Sequence, residues 1–138
     1  MLTWSEDFAT GSALVDTQHQ LLIEKINLLE QWLAGPLPPK GAVDELLDFL
    51  GSYVIAHFNF EERCMAHHHC SAQEQNKAAH TAFLQIFEEF REQYRVEGAE
   101  RRLLADLQIM MSDWIKHHIL SVDIKLRSCI ITNVNCAT

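Results

Sequence analysis

A basic surface is the first thing this chain lacks. Eleven lysines and arginines stand against nineteen aspartates and glutamates, for a net charge of -8. Nucleic acid and anionic membrane both call for a positive face, so neither is expected as the main partner. Long hydrophobic runs are missing too: charges interrupt every apolar stretch, which excludes an obvious membrane span. The opening Met1-Leu2-Thr3-Trp4-Ser5-Glu6-Asp7 has neither the basic region nor the apolar run of a signal peptide. No strand pattern, repeat or low-complexity tract is visible. The four cysteines, Cys64, Cys70, Cys129 and Cys136, include no Cys-x-x-Cys spacing. A cytoplasmic protein with reduced thiols is the reading these absences support, with Cys64 a buried, inert thiol.

What is present is helical periodicity. The 138 residues suit one domain, and a chain of this length buries roughly two-thirds of its unfolded surface. After an irregular N-terminal arm, Asp16 is a candidate N-cap for a first helix over about 17–34, with Leu22, Ile26, Leu29 and Leu33 as its apolar stripe. Gly35-Pro36-Leu37-Pro38-Pro39 ends it. A second helix over about 41–65 carries Val43, Leu47, Leu50 and Val54. A connection over 66–71 leads to a third helix over about 72–96, with Phe83, Phe87, Phe90 and Tyr94 inside. Gly98 breaks that helix, and a fourth carries Leu104, Leu107, Met111 and Trp114. Four long amphipathic helices with short links predict an all-α fold, an antiparallel up-down-up-down four-helix bundle. The expected domain is 1–130, and 131–138 reads as a tail or the start of a linker.

Polar residues interrupt these apolar stripes in every helix. His19, the pair His57 and Glu61, Asn76 with His80, and His118 with Asp123 behind it all fall on faces that should be buried. A single histidine there is ordinarily a core residue satisfied by a hydrogen bond. Glutamate and aspartate are almost never fully buried unless paired or metal-bound. Two of them with four histidines, converging from four helices, favour a cation. Six ligands exceed the four of a structural zinc site. Imidazole with carboxylate and no thiolate suits iron among the transition metals. The set divides best between two ions, each carboxylate bridging.

His57 and Glu61 lie one turn apart on one face. On a continued helix, His118 and Asp123 would be turned about 140° from each other and straddle the site. The run His67-His68-His69 beside Cys70 reads as an exposed connection. His117 points away from the stripe that holds His118.

The ordered motifs resemble the hemerythrin family, specifically the bacterial hemerythrin-like domains. Trp4, Gly11 and Val15-Asp16-Thr17-Gln18-His19 look like its opening. His57-x-x-x-Glu61 with Glu62 and Met65 looks like its second motif, and His80 with Phe83 like the second half of its His-x-x-x-His motif. Trp114-x-x-x-His118-Ile119 and Asp123 look like its last.

The resemblance implies a non-haem di-iron centre with an oxo or hydroxo bridge that binds O2 reversibly. His19 and His57 would hold one iron, His80 and His118 the other, with Glu61 and Asp123 bridging. Val54, Phe83, Met111 and Trp114 would line the site. The chain departs from the family pattern at Asn76, where a histidine is expected.

An amide offers only a weak oxygen ligand, so one iron would lack an imidazole. That favours an oxygen or redox sensor, a domain that does no catalysis itself and feeds an attached signalling output such as a diguanylate cyclase. The alternatives are a stand-alone O2 carrier or store and weak di-iron oxidase or peroxide chemistry. A ferritin-like oxidase would need Glu-x-x-His motifs, and here Glu61 leads to Cys64 and Glu62 to Met65.

Overall fold

The computed structural model describes residues 1–129. Ile130 and the expected tail over 131–138, Cys136 included, lie outside the described residues. Four long helices account for most of the chain: α1 (Ala13–Leu33), α2 (Lys40–His67), α3 (Gln73–Glu97) and α4 (Arg101–Ser121). A short 3-10 turn, Glu6–Phe8, precedes them; a second, Asp123–Lys125, leads into the one-turn helix α5 (Leu126–Cys129). Each long helix packs on its two neighbours in the order α1–α2–α3–α4 and back to α1, the arrangement of an antiparallel bundle.

The first helix begins earlier than Asp16. Ser12 is extended and its hydroxyl accepts from the Val15 N–H at 3.3 Å, so serine is the N-cap. The Asp16 carboxylate instead accepts from the Thr10 backbone N–H and hydroxyl, both at 2.8 Å, and ties the incoming arm to the first turn. Leu2 is held to α1 by two hydrogen bonds with the Asn27 amide. At the other end of α1 the Arg101 guanidinium donates to the Leu33 and Gly35 carbonyls, satisfying groups that a helix end leaves orphaned. Gly98 stops α3 with φ +79°, a conformation strained for any residue with a Cβ. The fourth helix ends at Ser121, so Asp123 is presented by the 3-10 turn; the angle expected on a continued helix does not apply.

Two apolar clusters form the interior. The larger holds Leu22, Ile26, Leu50, Val54, Phe58, Phe83, Phe87, Leu104 and Met111, all buried. Phe90, expected inside, is only partly buried. The smaller cluster holds Val15, Cys64, Met65, Cys70, Ala72, Val122 and Leu126. The polar residues sit between the two: along α1 the order is Val15, His19, Leu22, and along α3 it is Ala72, Asn76, His80, Phe83. A polar layer is thus sealed above and below by hydrocarbon.

The three described cysteines are not reduced. Cys70 is disulfide-bonded to Cys129, 59 residues away, and Cys64 is also disulfide-bonded, so it is not the inert thiol its burial suggested.

Candidate metal centre

Each long helix delivers imidazoles into the polar layer, and the turn after α4 adds a carboxylate. His19, His57, Glu61, Asn76, His80, His118 and Asp123 are all buried, none more than 6 % exposed. Their ligand atoms form two overlapping groups. His19, His57, Glu61 and Asp123 offer atoms within 4.8 Å of one another, and so do Glu61, His80, His118 and Asp123. Both carboxylates are common to the two groups. The Glu61 oxygens divide, Oε2 lying 3.2 Å from His19 Nε2 and 3.5 Å from His57 Nε2, while Oε1 lies 3.0 Å from His80 Nε2. Asp123 divides likewise, Oδ2 at 3.1 Å from His19 Nε2 and Oδ1 at 3.1 Å from His118 Nε2.

Asn76 occupies the second group. Its Nδ2 donates to Glu61 Oε1 at 3.0 Å, and its Oδ1 lies 2.8 Å from His118 Nε2. The amide therefore stands where an imidazole was expected and links a shared carboxylate to His118.

Outer contacts fix two of the rings. His57 Nδ1 lies 2.7 Å from Gln18 Oε1, and His80 Nδ1 lies 2.9 Å from Glu62 Oε2. An acceptor on Nδ1 leaves the Nε2 lone pair for the centre, the usual support for a ligating histidine. The two supports differ in charge, a neutral amide behind His57 and a carboxylate behind His80. Sequence reasoning gave neither Gln18 nor Glu62 this role; each directly adjoins a candidate ligand in the chain, and that adjacency was the available signal.

Electrostatics separates the four imidazoles. Burial opposes charge on His19, but the Asp123 and Glu61 carboxylates outweigh it and raise its pKa to about 10. Burial, reinforced by neighbouring His19, pushes His57 down to about 3. Burial also opposes charge on His80, and Glu61 and Glu62 raise it nonetheless. Glu61 and Asp123 are held below the usual carboxylate range: burial and, for Glu61, the nearby Asp123 push upward, and the facing imidazoles prevail.

The apolar wall is aromatic. Phe58 stacks on the His80 ring with centroids 3.8 Å apart, and Trp114 stacks on His118 at 4.4 Å. Phe83 meets Trp114 at 4.5 Å. The four residues expected to line the site, Val54, Phe83, Met111 and Trp114, border one small cavity of about 10 Å³ with Leu22, Ile26, Phe58 and Ile115. A lining without polar groups gives a water nothing to bond. Of the run expected to be an exposed connection, His67 is exposed but ends α2, His69 is exposed in the α2–α3 connection, and His68 is half-buried; His117 is exposed on α4, as expected.

The residues present fit a cation. Among the described residues seven buried side-chain atoms lack a hydrogen-bond partner, and five belong to this layer: both ring nitrogens of His19, Glu61 Oε2 and both Asp123 oxygens. Buried polar atoms without partners cost roughly 1–3 kcal/mol each. Nitrogen and oxygen atoms converging at ion-pair distance yet unbonded are what a cation between them would satisfy. The set is imidazole and carboxylate without thiolate, a first-row transition-metal set.

Fold and centre together define an all-α bundle metalloprotein with a carboxylate-sharing pair of cation positions. The family model for the hemerythrin HHE cation binding domain matches residues 10–126. The chain belongs to the hemerythrin family. It is 30% identical over 122 residues to a bacteriohemerythrin of Pseudomonas paraeruginosa, covering 88% of this chain and 76% of that protein. It is 26% identical over 124 residues to one of Methylococcus capsulatus, covering 89% and 92%. A crystal structure of wild-type hemerythrin superposes with a TM-score of 0.83 at 24% identity, over 96% of this chain and 99% of that one, which supports the fold. Among the described residues no helix is long and apolar enough to cross a membrane.

Proposed function

We propose that the chain is a non-haem di-iron domain that binds O2 and senses oxygen or redox state, without catalysis of its own. His19 and His57 would hold one iron and His80 and His118 the other, with Glu61 and Asp123 shared between them, and an oxo or hydroxo bridge completing the pair. The observation that carries this reading is the sharing of both carboxylates by two imidazole groups, a pattern a single ion does not require. Bound iron supplies the electrons that make O2 binding reversible. The protein supplies position and dryness. Gln18 and Glu62 orient His57 and His80, while Phe58, Phe83, Trp114, Val54 and Met111 keep water and protons from the centre.

Asn76 favours a sensor over a store. One iron would meet an amide where the family pattern has an imidazole, and with one nitrogen donor fewer it would exchange small anions and oxidise more readily. The output would be an attached signalling module such as a diguanylate cyclase. A cytoplasmic setting is part of this proposal, and there the Cys70–Cys129 disulfide meets reducing dithiols. The test compares autoxidation of the oxygenated, iron-loaded protein with that of Asn76→His. Slower autoxidation in the variant is expected; equal rates would remove the sensor argument. A long-lived oxygenated form in the wild type would point to the carrier or storage reading instead.

A further inference from the structure

Of the two carboxylates of the centre, only Asp123 does not come from a long helix, and a disulfide lies six residues beyond it. Asp123 belongs to both cation groups, yet its backbone is a three-residue 3-10 turn between α4 and the one-turn α5. Such an element has little stability of its own. Three kinds of contact anchor it. Val122 and Leu126 are buried in the smaller apolar cluster. Lys125 and Arg127 reach Gln75 and the backbone carbonyls of the N-terminal arm. A covalent anchor among the described residues is Cys129, six residues after Asp123, bonded to Cys70 in the connection between α2 and α3. That connection follows Glu61 and His57 on α2 and precedes Asn76 and His80 on α3. The disulfide therefore closes the bundle beneath the polar layer, on the side of the smaller cluster, and joins the Asp123 turn to the two helices that carry three other members of the centre and Asn76.

The two sulfurs are not equally reachable. Cys70 is buried, 5% exposed, whereas Cys129 is partly exposed at the end of α5.

We propose that Cys70–Cys129 is a thiol–disulfide exchange site for a dithiol, and that its state sets how firmly Asp123 is held in the cation centre. The attacking thiolate bonds to Cys129 Sγ, the sulfur–sulfur bond to Cys70 breaks, and Cys70 leaves as a thiolate that takes a proton. The second thiol of the attacking dithiol then displaces Cys129. The dithiol is oxidised to its disulfide and the protein cysteines are reduced, with two electrons and two protons transferred. Opening the clasp removes the Cys70–Cys129 tether and leaves the Asp123 turn to its contacts at Val122, Lys125, Leu126 and Arg127 among the described residues. The coupling to the centre rests on the di-iron reading above; the exchange site itself does not.

The experiment uses the whole chain in two forms: wild type before and after reduction by a protein dithiol of the thioredoxin kind, and the double variant Cys70→Ser with Cys129→Ser, which leaves the Cys64 disulfide in place. Circular dichroism establishes that the helices persist in each. Two quantities are then read. Hydrogen exchange over residues 122–129 in the chelator-stripped protein tests the clasp without iron. Ferrous iron transfer to a coloured chelator under anaerobic conditions tests the coupling. The expected result is faster exchange across 122–129 in both open forms, and iron release faster by about ten- to a hundredfold, the range that losing the support of a ligand costs.

Unchanged exchange over that segment overturns the clasp, as does a disulfide that the dithiol leaves intact in the folded protein. Faster exchange with unchanged iron release overturns the coupling alone. A wild type that takes up no iron overturns the di-iron reading, while the exchange measurement still decides the clasp. If the double variant does not fold, folded wild type reduced at Cys70–Cys129 with the Cys64 disulfide intact, as thiol mapping establishes, supplies both readings.

Discussion

Asn76 and Glu62 show how much one side chain decides in this centre. Asn76 joins Glu61 to His118 through one amide, so Asn76→Ala would leave a buried carboxylate oxygen and an imidazole nitrogen each short of a partner. A loss of about 1–3 kcal/mol in the metal-free protein is expected, read from urea unfolding in chelator. Glu62 acts from outside the group by holding His80 Nδ1. Glu62→Ala is expected to weaken iron retention about ten- to a hundredfold while leaving the helix content unchanged, measured by competition with a chelator. The six candidate ligands were legible in the sequence because charged and imidazole groups on an apolar stripe contradict the periodicity around them. Gln18 and Glu62 were not legible in these roles. Each lies a residue away from a candidate ligand, on a helix face that periodicity marks as outer, and only the packing of α1 on α2 and of α2 on α3 brings their side chains to a neighbouring helix's ring.

At the scale of elements, the long helices followed their stripes and the ends did not. Both Ser12 and Asp16 are ordinary capping residues, and the choice between them depended on the Thr10 backbone, which gives Asp16 another task. Ser12→Ala is expected to cost about 1 kcal/mol of stability, measured by thermal or urea unfolding. Asp123 looked helical by spacing from His118, whereas α4 stops at Ser121. The turn that results is held from below by Leu126, which is fully buried, so Leu126→Ala is expected to cost about 2–5 kcal/mol and to loosen iron binding with it. The disulfide could not be read from the chain, because partners 59 residues apart leave no spacing signature and only the fold brings them together.

For the whole molecule, the bundle is two hydrocarbon clusters around one polar layer, and stability depends on how that layer's charge is balanced. In the chelator-stripped protein only protons can oppose the two carboxylates. His19, raised to about 10, contributes stability that is complete below its ordinary value of 6.5 and fades as the pH climbs toward 10. His57, lowered to about 3, acts in the other direction: stability falls as the pH drops from 6.5 toward 3, because the unfolded chain then binds the extra proton. The stripped protein is therefore expected to be most stable near pH 6.5, with losses on both sides in urea midpoints across pH. Iron loading should raise the midpoint and be lost in acid, where protons compete for the imidazoles. The overall architecture was the most legible level of all, since four amphipathic stripes with short links admit few arrangements.

In the proposed centre two irons share Glu61 and Asp123. Ferrous iron titrated anaerobically into stripped protein, followed by air and azide with the optical spectrum recorded throughout, tests it most directly. Saturation at two irons per chain is expected, with the bands of an oxo-bridged di-ferric centre that respond to azide. Saturation at one iron, or two irons without those bands, would contradict it.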